Sequence, residues 1–128
     1  PVCTRLYARG AAAVVPPIVA LSHRESGSIT GGPLEAAGRR PQRSRYFYAD
    51  WARGWLRVAI LDDRHRLVGR PRQLATGLAG PSSLRLRPDG WLYYLAFGSG
   101  ELRRIGRDGC ADRGEGSSRD CFRASPPR

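Results

Sequence analysis

A twelve-residue pattern occurs twice in this chain. Laying Tyr46-Phe47-Tyr48-Ala49-Asp50-Trp51-Ala52-Arg53-Gly54-Trp55-Leu56-Arg57 over Leu92-Tyr93-Tyr94-Leu95-Ala96-Phe97-Gly98-Ser99-Gly100-Glu101-Leu102-Arg103 gives a constant offset of 46 residues. Four positions are then identical: Tyr48 with Tyr94, Gly54 with Gly100, Leu56 with Leu102 and Arg57 with Arg103. Each copy reads as an aromatic strand, a tight turn and a returning strand, with glycine at the turn because it accepts a positive φ at no steric cost. Strand-rich repeats of about 40–50 residues are the spacing of β-propeller blades. The chain holds about two such units, whereas a closed propeller needs roughly 4–8 blades. The expectation is therefore an antiparallel all-β propeller fragment of about two four-stranded blades, the end of a longer protein.

The rest of the chain agrees with strands joined by turns. Leu56, Val58 and Ile60 alternate with Arg57 and Ala59, and Leu84 and Leu86 alternate with Arg85 and Arg87, the period of half-buried strands. Strands are predicted at Ile18–Ser22, Ser28–Ala36, Tyr46–Ala49, Trp55–Leu61, Leu67–Leu74, Ser83–Arg87, Leu92–Phe97 and Glu101–Ile105. Sixteen glycines and ten prolines in 128 residues argue against a helical bundle. Three regions follow: an irregular entry segment over 1–15, the folded blades over 16–105, and a basic, low-complexity tail over 106–128. That tail has too few apolar residues to offset the entropy of ordering it. The longest apolar stretch, Ala11 to Leu21, is broken by Pro16 and Pro17, so no span of about 20 apolar residues is available to cross a membrane.

All 22 basic residues are arginine, against 11 acidic residues, for a net charge of +11. Lys, Asn and Met are all absent, which points to a GC-rich gene rather than to a function. The arginines run from Arg5 to Arg128 without gathering into a patch, and no helix-turn-helix, zinc-ligand spacing or stacking-aromatic motif accompanies them; no nucleic-acid partner is expected. Without an initiator Met, the chain reads as processed or as a fragment, and Arg5 to Leu21 lacks the cleavage site of a signal peptide. Cys3, Cys110 and Cys121 match no metal-ligand spacing. Cys110 and Cys121 bracket a short polar loop that closes as a disulfide in an exported protein; the other reading is three free thiols.

An ordered series of short motifs carries a resemblance to a known family. Pro17-Ile18-Val19-Ala20-Leu21-Ser22-His23 is followed by Ser28-Ile29-Thr30-Gly31-Gly32, then by Arg45-Tyr46-Phe47-Tyr48-Ala49-Asp50-Trp51-Ala52-Arg53-Gly54. Gly77-Leu78-Ala79-Gly80-Pro81-Ser82-Ser83-Leu84 and Pro88-Asp89-Gly90-Trp91-Leu92-Tyr93-Tyr94-Leu95 complete it. In this order the segments resemble the C-terminal blades of the glucose/sorbosone dehydrogenase family, over about Pro16 to Ile105. The resemblance implies a six-bladed, usually extracytoplasmic propeller whose enzymatic members oxidise a sugar with pyrroloquinoline quinone and calcium. Other members bind partners without catalysis. It also implies that the missing N-terminal blades carry the histidine base, so that this chain alone is inactive. The chain departs from the enzymes where an Arg-x-Arg-Asp run clamps cofactor carboxylates, offering Gly80, Pro81, Ser82 and Ser83 instead. Ala52 likewise stands where the enzymes carry a cofactor-contacting lysine, with Arg53 beside it.

The candidate site residues follow from position. His23 leaves an apolar strand for a short loop, and with Arg53 it is the candidate for facing a substrate or cofactor; the alternative is a histidine that orders its own loop. Asp50 ends an aromatic strand before a turn, where an aspartate accepts backbone N–H bonds, and Asp89-Gly90 belongs to a Pro-Asp-Gly turn; both are read as structural. Thr30-Gly31-Gly32 permits close backbone approach, most simply of a neighbouring strand, with a ligand as the alternative. The aromatics Trp51, Trp55 and Trp91, with Tyr46–Phe47 and Tyr93–Tyr94, are read mainly as core, with a sugar-stacking platform as the alternative. Asp62-Asp63 supplies too few oxygens for a calcium site of six to eight. The expected function is sugar oxidation by the complete protein, and the alternative is a non-catalytic propeller module that binds carbohydrate or protein.

Overall fold

The computed structural model describes residues 2–10, 13–36 and 43–106, together with the backbone of 110–112 and 120–121. It is a mostly β structure of two antiparallel sheets. The first sheet is a four-stranded meander of β1 (Ile29–Ala36), β2 (Ser44–Asp50), β3 (Trp55–Leu61) and β4 (Arg72–Ala75), in that order. The second runs through β5 (Pro81–Leu86), β6 (Trp91–Ala96) and β7 (Glu101–Gly106), and continues into the short β8 (Cys110–Asp112) and β9 (Asp120–Cys121). Each neighbour in sequence is thus the neighbour in space, as expected for strands joined by tight turns.

Three expectations are corrected. The entry segment is not wholly irregular, because Val2–Ala8 forms a single helix, α1, from a stretch free of Gly and Pro; none of its side chains is buried. Ile18–Ser22 is not a strand. Ile18, Val19 and Leu21 line a cleft against the face of the first sheet and take no ladder partner, with Ile18 still half exposed. The strand predicted at Leu67–Leu74 shortens to β4, with Leu67 making an isolated bridge to Leu61. Gly69, at φ +70°, and Pro71, which has no N–H to donate, break the ladder between them. Of the tail, the described backbone adds β8 to the free edge of β7 and places Cys110 opposite Cys121 in the β8–β9 register. The side chains of both cysteines, and with them the disulfide, lie outside the described residues.

The two sheets pack face to face. Phe47, Ala49, Leu56 and Val58 of the first meet Leu84, Leu92, Tyr94, Ala96 and Ile105 of the second in one core, with Ala49, Leu56, Leu84 and Ala96 wholly buried. At about 25 cal/mol per Å² of apolar surface, this seam is the main stabilising contact between the sheets. It is tightened where β1 crosses β5: the Thr30 hydroxyl donates to the Pro81 carbonyl at 3.0 Å. Two residues on, a Cβ at Gly32 would collide with the Phe47 carbonyl and with the Leu84 side chain. The close approach expected of Thr30-Gly31-Gly32 is therefore made to neighbouring strands. Both first strands also carry an irregularity, between Gly31 and Leu34 in β1 and between Ser82 and Arg85 in β5. Bulges of this kind bend a strand and increase its twist.

Candidate functional site

Four connections meet at one end of the sheet stack: the segment before β1, the β2–β3 turn at 51–54, the link from β4 to β5, and the β6–β7 turn at 97–100. The first two are anchored by Asp50, wholly buried at the end of β2. Its Oδ2 accepts from the Ser26 hydroxyl at 2.5 Å and from the backbone N–H groups of Gly27 at 2.7 Å and Ser28 at 3.1 Å. Its Oδ1 accepts from the Arg53 N–H at 2.7 Å. Burial pushes the carboxyl pKa up, but the Ser26 hydroxyl and the N–H groups of Arg53, Gly27 and Ser28 outweigh it, so the pKa lies below the ordinary aspartate value. Asp50 thus fixes the loop before β1 to the β2–β3 turn, and both of its oxygens are engaged in doing so.

His23 and Arg53 are brought together, through the histidine's backbone. Arg53 Nη2 donates to the His23 carbonyl at 3.0 Å, while Trp55 Nε1 donates to the Glu25 carbonyl at 3.2 Å. Ser22 completes the loop, its N–H and hydroxyl donating to the Glu25 carboxylate at 3.2 and 3.0 Å. Those bonds draw the Glu25 pKa below its usual value. His23 also lines a half-open cleft of about 520 Å³ between this segment and the first sheet, with Ile18, Leu21, Tyr46, Tyr48 and Leu61 among its walls. Within that face Tyr46 stacks on Tyr48 with ring centroids 6.1 Å apart, and Tyr48 meets Trp55 edge-on at 5.7 Å. The Tyr48 hydroxyl is buried beside Arg57, and burial raises its pKa although the arginine works against it.

The rim carries an exposed aromatic pair. Trp51 and Phe97, related by the 46-residue offset, stand 6.0 Å apart at an interplanar angle of 60° and are 43% and 70% exposed. Of the aromatics expected mainly in the core, Phe47, Trp55 and Tyr94 are buried, Tyr46, Trp91 and Tyr93 are half-buried, and Trp51 is exposed. The turns beneath Trp51 and Phe97 are locked by backbone contacts: Phe97 N–H donates to Gly80 and Gly98 N–H to Ala79, both at 3.0 Å. Gly54 is at φ +63°, its carbonyl accepts from the Leu78 N–H at 2.9 Å, and a Cβ there would strike the Leu78 carbonyl oxygen.

The remaining candidates sit elsewhere. Asp89 lies in the β5–β6 turn at the opposite end, where its Oδ1 accepts from the Trp91 N–H at 3.0 Å and Gly90 adopts φ +89°. Asp62 caps the turn after β3, accepting from the N–H groups of Arg64 and Arg66 at 3.0 and 2.8 Å and pairing with the Arg66 guanidinium at 2.9 Å. Reading residues one at a time missed Ser26 and the aliphatic wall of the cleft. The signal for Ser26 was Ser26-Gly27-Ser28, three donors in a row ahead of a strand whose partner ends in aspartate.

A pyrroloquinoline quinone clamp needs cations aimed at the cofactor's carboxylates. Gly80, Pro81, Ser82, Ser83 and Ala52, the residues that the sequence resemblance sets against that clamp, carry no cation, and the adjoining Arg53 is held to the His23 carbonyl. Asp50 and Asp62 have their oxygens committed to N–H donors. These residues do not fit the cofactor or its calcium. No family model, no curated protein and no solved structure matches this chain. No helix among the described residues is long and apolar enough to cross a membrane.

Proposed function

We propose that this chain forms two consecutive blades of a β-propeller similar to those of the glucose/sorbosone dehydrogenases, and that its rim contacts a sugar. The observation that carries this reading is the exposed Trp51–Phe97 pair, placed by equivalent turns of two stacked meanders at the end where His23 and Arg53 also lie. Aromatic faces of this kind offer a flat apolar surface suited to a sugar ring, with Arg53 and His23 as polar neighbours. Oxidation of the sugar by pyrroloquinoline quinone and calcium belongs to the complete extracytoplasmic protein. Its histidine base comes from blades outside this chain, which contributes wall and rim.

A second reading, a non-catalytic module that binds carbohydrate, is favoured by the uncharged residues at the clamp positions. One experiment separates the two. The native gene product is supplied with pyrroloquinoline quinone and calcium and assayed for aldose-dependent dye reduction, and in parallel for retention on an immobilised aldose. Dye reduction supports the dehydrogenase, and retention without turnover supports the binding module. Neither response overturns both.

A further inference from the structure

The two sheets hold their fourth strands by different means. In the first sheet β4 is fixed by the register pairs Leu56↔Ala75, Arg57↔Gln73 and Val58↔Arg72, and beyond it the Leu78 N–H returns to the Gly54 carbonyl at 2.9 Å. Ala75 belongs to the core, and Leu74 packs against it. In the second sheet β8 takes the fourth place beside β7 through the pairs Arg104↔Asp112 and Ile105↔Ala111, and β9 follows through Cys110↔Cys121 and Ala111↔Asp120. From Cys110 to Cys121 the sequence runs Cys-Ala-Asp-Arg-Gly-Glu-Gly-Ser-Ser-Arg-Asp-Cys, with one alanine and no larger aliphatic or aromatic residue. A short two-stranded hairpin is marginal in water, and this one has no apolar side chains of its own with which to stabilise itself by burial.

What the register does place at the open end of the hairpin is a pair of cysteines, each the other's direct partner. Directly opposite residues of an antiparallel pair have Cα atoms about 4.5 or 5.5 Å apart, and a disulfide bridges Cα atoms about 4.4–6.8 Å apart, so either kind of pair suits the bond. Closing a ring this short limits the unfolded chain, which favours the paired hairpin. Cys3 has no such position: it lies exposed on α1, a helix with no buried side chain.

We infer that Cys110 and Cys121 form a cross-strand disulfide that staples β8 to β9 along the edge of β7, and that Cys3 stays a thiol. The staple supplies what composition does not, and it keeps the edge of β7 covered by a strand of its own chain. The bond forms by exchange with a disulfide oxidant, oxidised glutathione in the test. Cys110 and Cys121 give up two protons and two electrons as their S–S bond forms. The oxidant's S–S bond breaks, and its two sulfurs leave as thiols with those protons and electrons. Neither sugar binding nor the number of blades in the complete protein enters this assignment.

The test equilibrates the native gene product with oxidised and reduced glutathione, traps the remaining thiols with N-ethylmaleimide, and reads each cysteine by mass on tryptic peptides. Cleavage after arginine separates Asp108–Arg113, Asp120–Arg123 and the peptide that ends at Arg5. The expected product has the first two joined and Cys3 carrying the maleimide. Cysteines this near in sequence pair to some extent in any chain, so the same equilibrium is measured in concentrated urea. Because the fold holds the two opposite, the ratio of disulfide to dithiol should be at least about tenfold higher in the native protein than in urea. Circular dichroism of both samples fixes which state each ratio belongs to. Cys3→Ser, at an exposed position, should leave the link and the ratio unchanged. Equal ratios in the two states, a link that includes Cys3, loss of the link in Cys3→Ser, or glutathione left on Cys110 and Cys121 separately would each overturn the inference.

Discussion

Asp50 does the most structural work of any single residue. Four donors converge on its carboxylate, and removing it leaves the buried Ser26 hydroxyl and the part-buried N–H groups of Gly27, Ser28 and Arg53 without that acceptor. Asp50→Ala is expected to cost about 3 kcal/mol, measured by urea unfolding, since hydrogen bonds to a charged group are each worth more than neutral ones. The pH dependence has a definite sign. The folded pKa lies below the unfolded one, so the stabilisation is complete above the ordinary aspartate range and is lost as pH falls through the folded value. Melts of wild type and Asp50→Asn at pH 7 and pH 3 should therefore differ more at pH 7; an equal gap at both would contradict the assignment. Gly54→Ala is expected to cost roughly 2 kcal/mol or more in the same assay, combining a positive φ with a collision against Leu78.

At the scale of elements, period-two alternation made the strands legible wherever a ladder partner existed. Trp55–Leu61 is read from the sequence with the bounds it has in the structure, and β5, β6 and β7 within two residues at each end. The failures share a physical cause. Ile18, Val19 and Leu21 line a cleft over a face, and apolar patterning does not say whether a strand edge is within reach. Pro71 and Gly69 were visible, yet their effect on Leu67–Leu74 depended on where β3 ended. The pairing of His23 with Arg53 was not legible, since it runs through a carbonyl and spans 30 positions. The seam between the sheets makes its own prediction: Leu84→Ala, at a wholly buried position, should lower stability by about 2–5 kcal/mol in chemical unfolding. Thr30→Val, which removes the hydroxyl bond to Pro81, should cost about 1 kcal/mol.

At the scale of the whole molecule, two meanders related by a 46-residue offset stack with equivalent turns at one end and unlike faces on either side. The proposed sugar contact belongs to that end. Asp50 and Gly54 fix the turns, the turns carry Trp51 and Phe97, and the pair is exposed where a sugar ring can lie against it. The most direct measurement is the affinity of the native gene product for an aldose, compared with the Trp51→Ala, Phe97→Ala double variant. Because neither side chain is buried, the variant should melt with the native protein. The account predicts that its affinity for the sugar falls roughly tenfold, the loss of about 1.4 kcal/mol of aromatic contact. Unchanged affinity in a well-folded double variant, or no affinity in either protein, would contradict it.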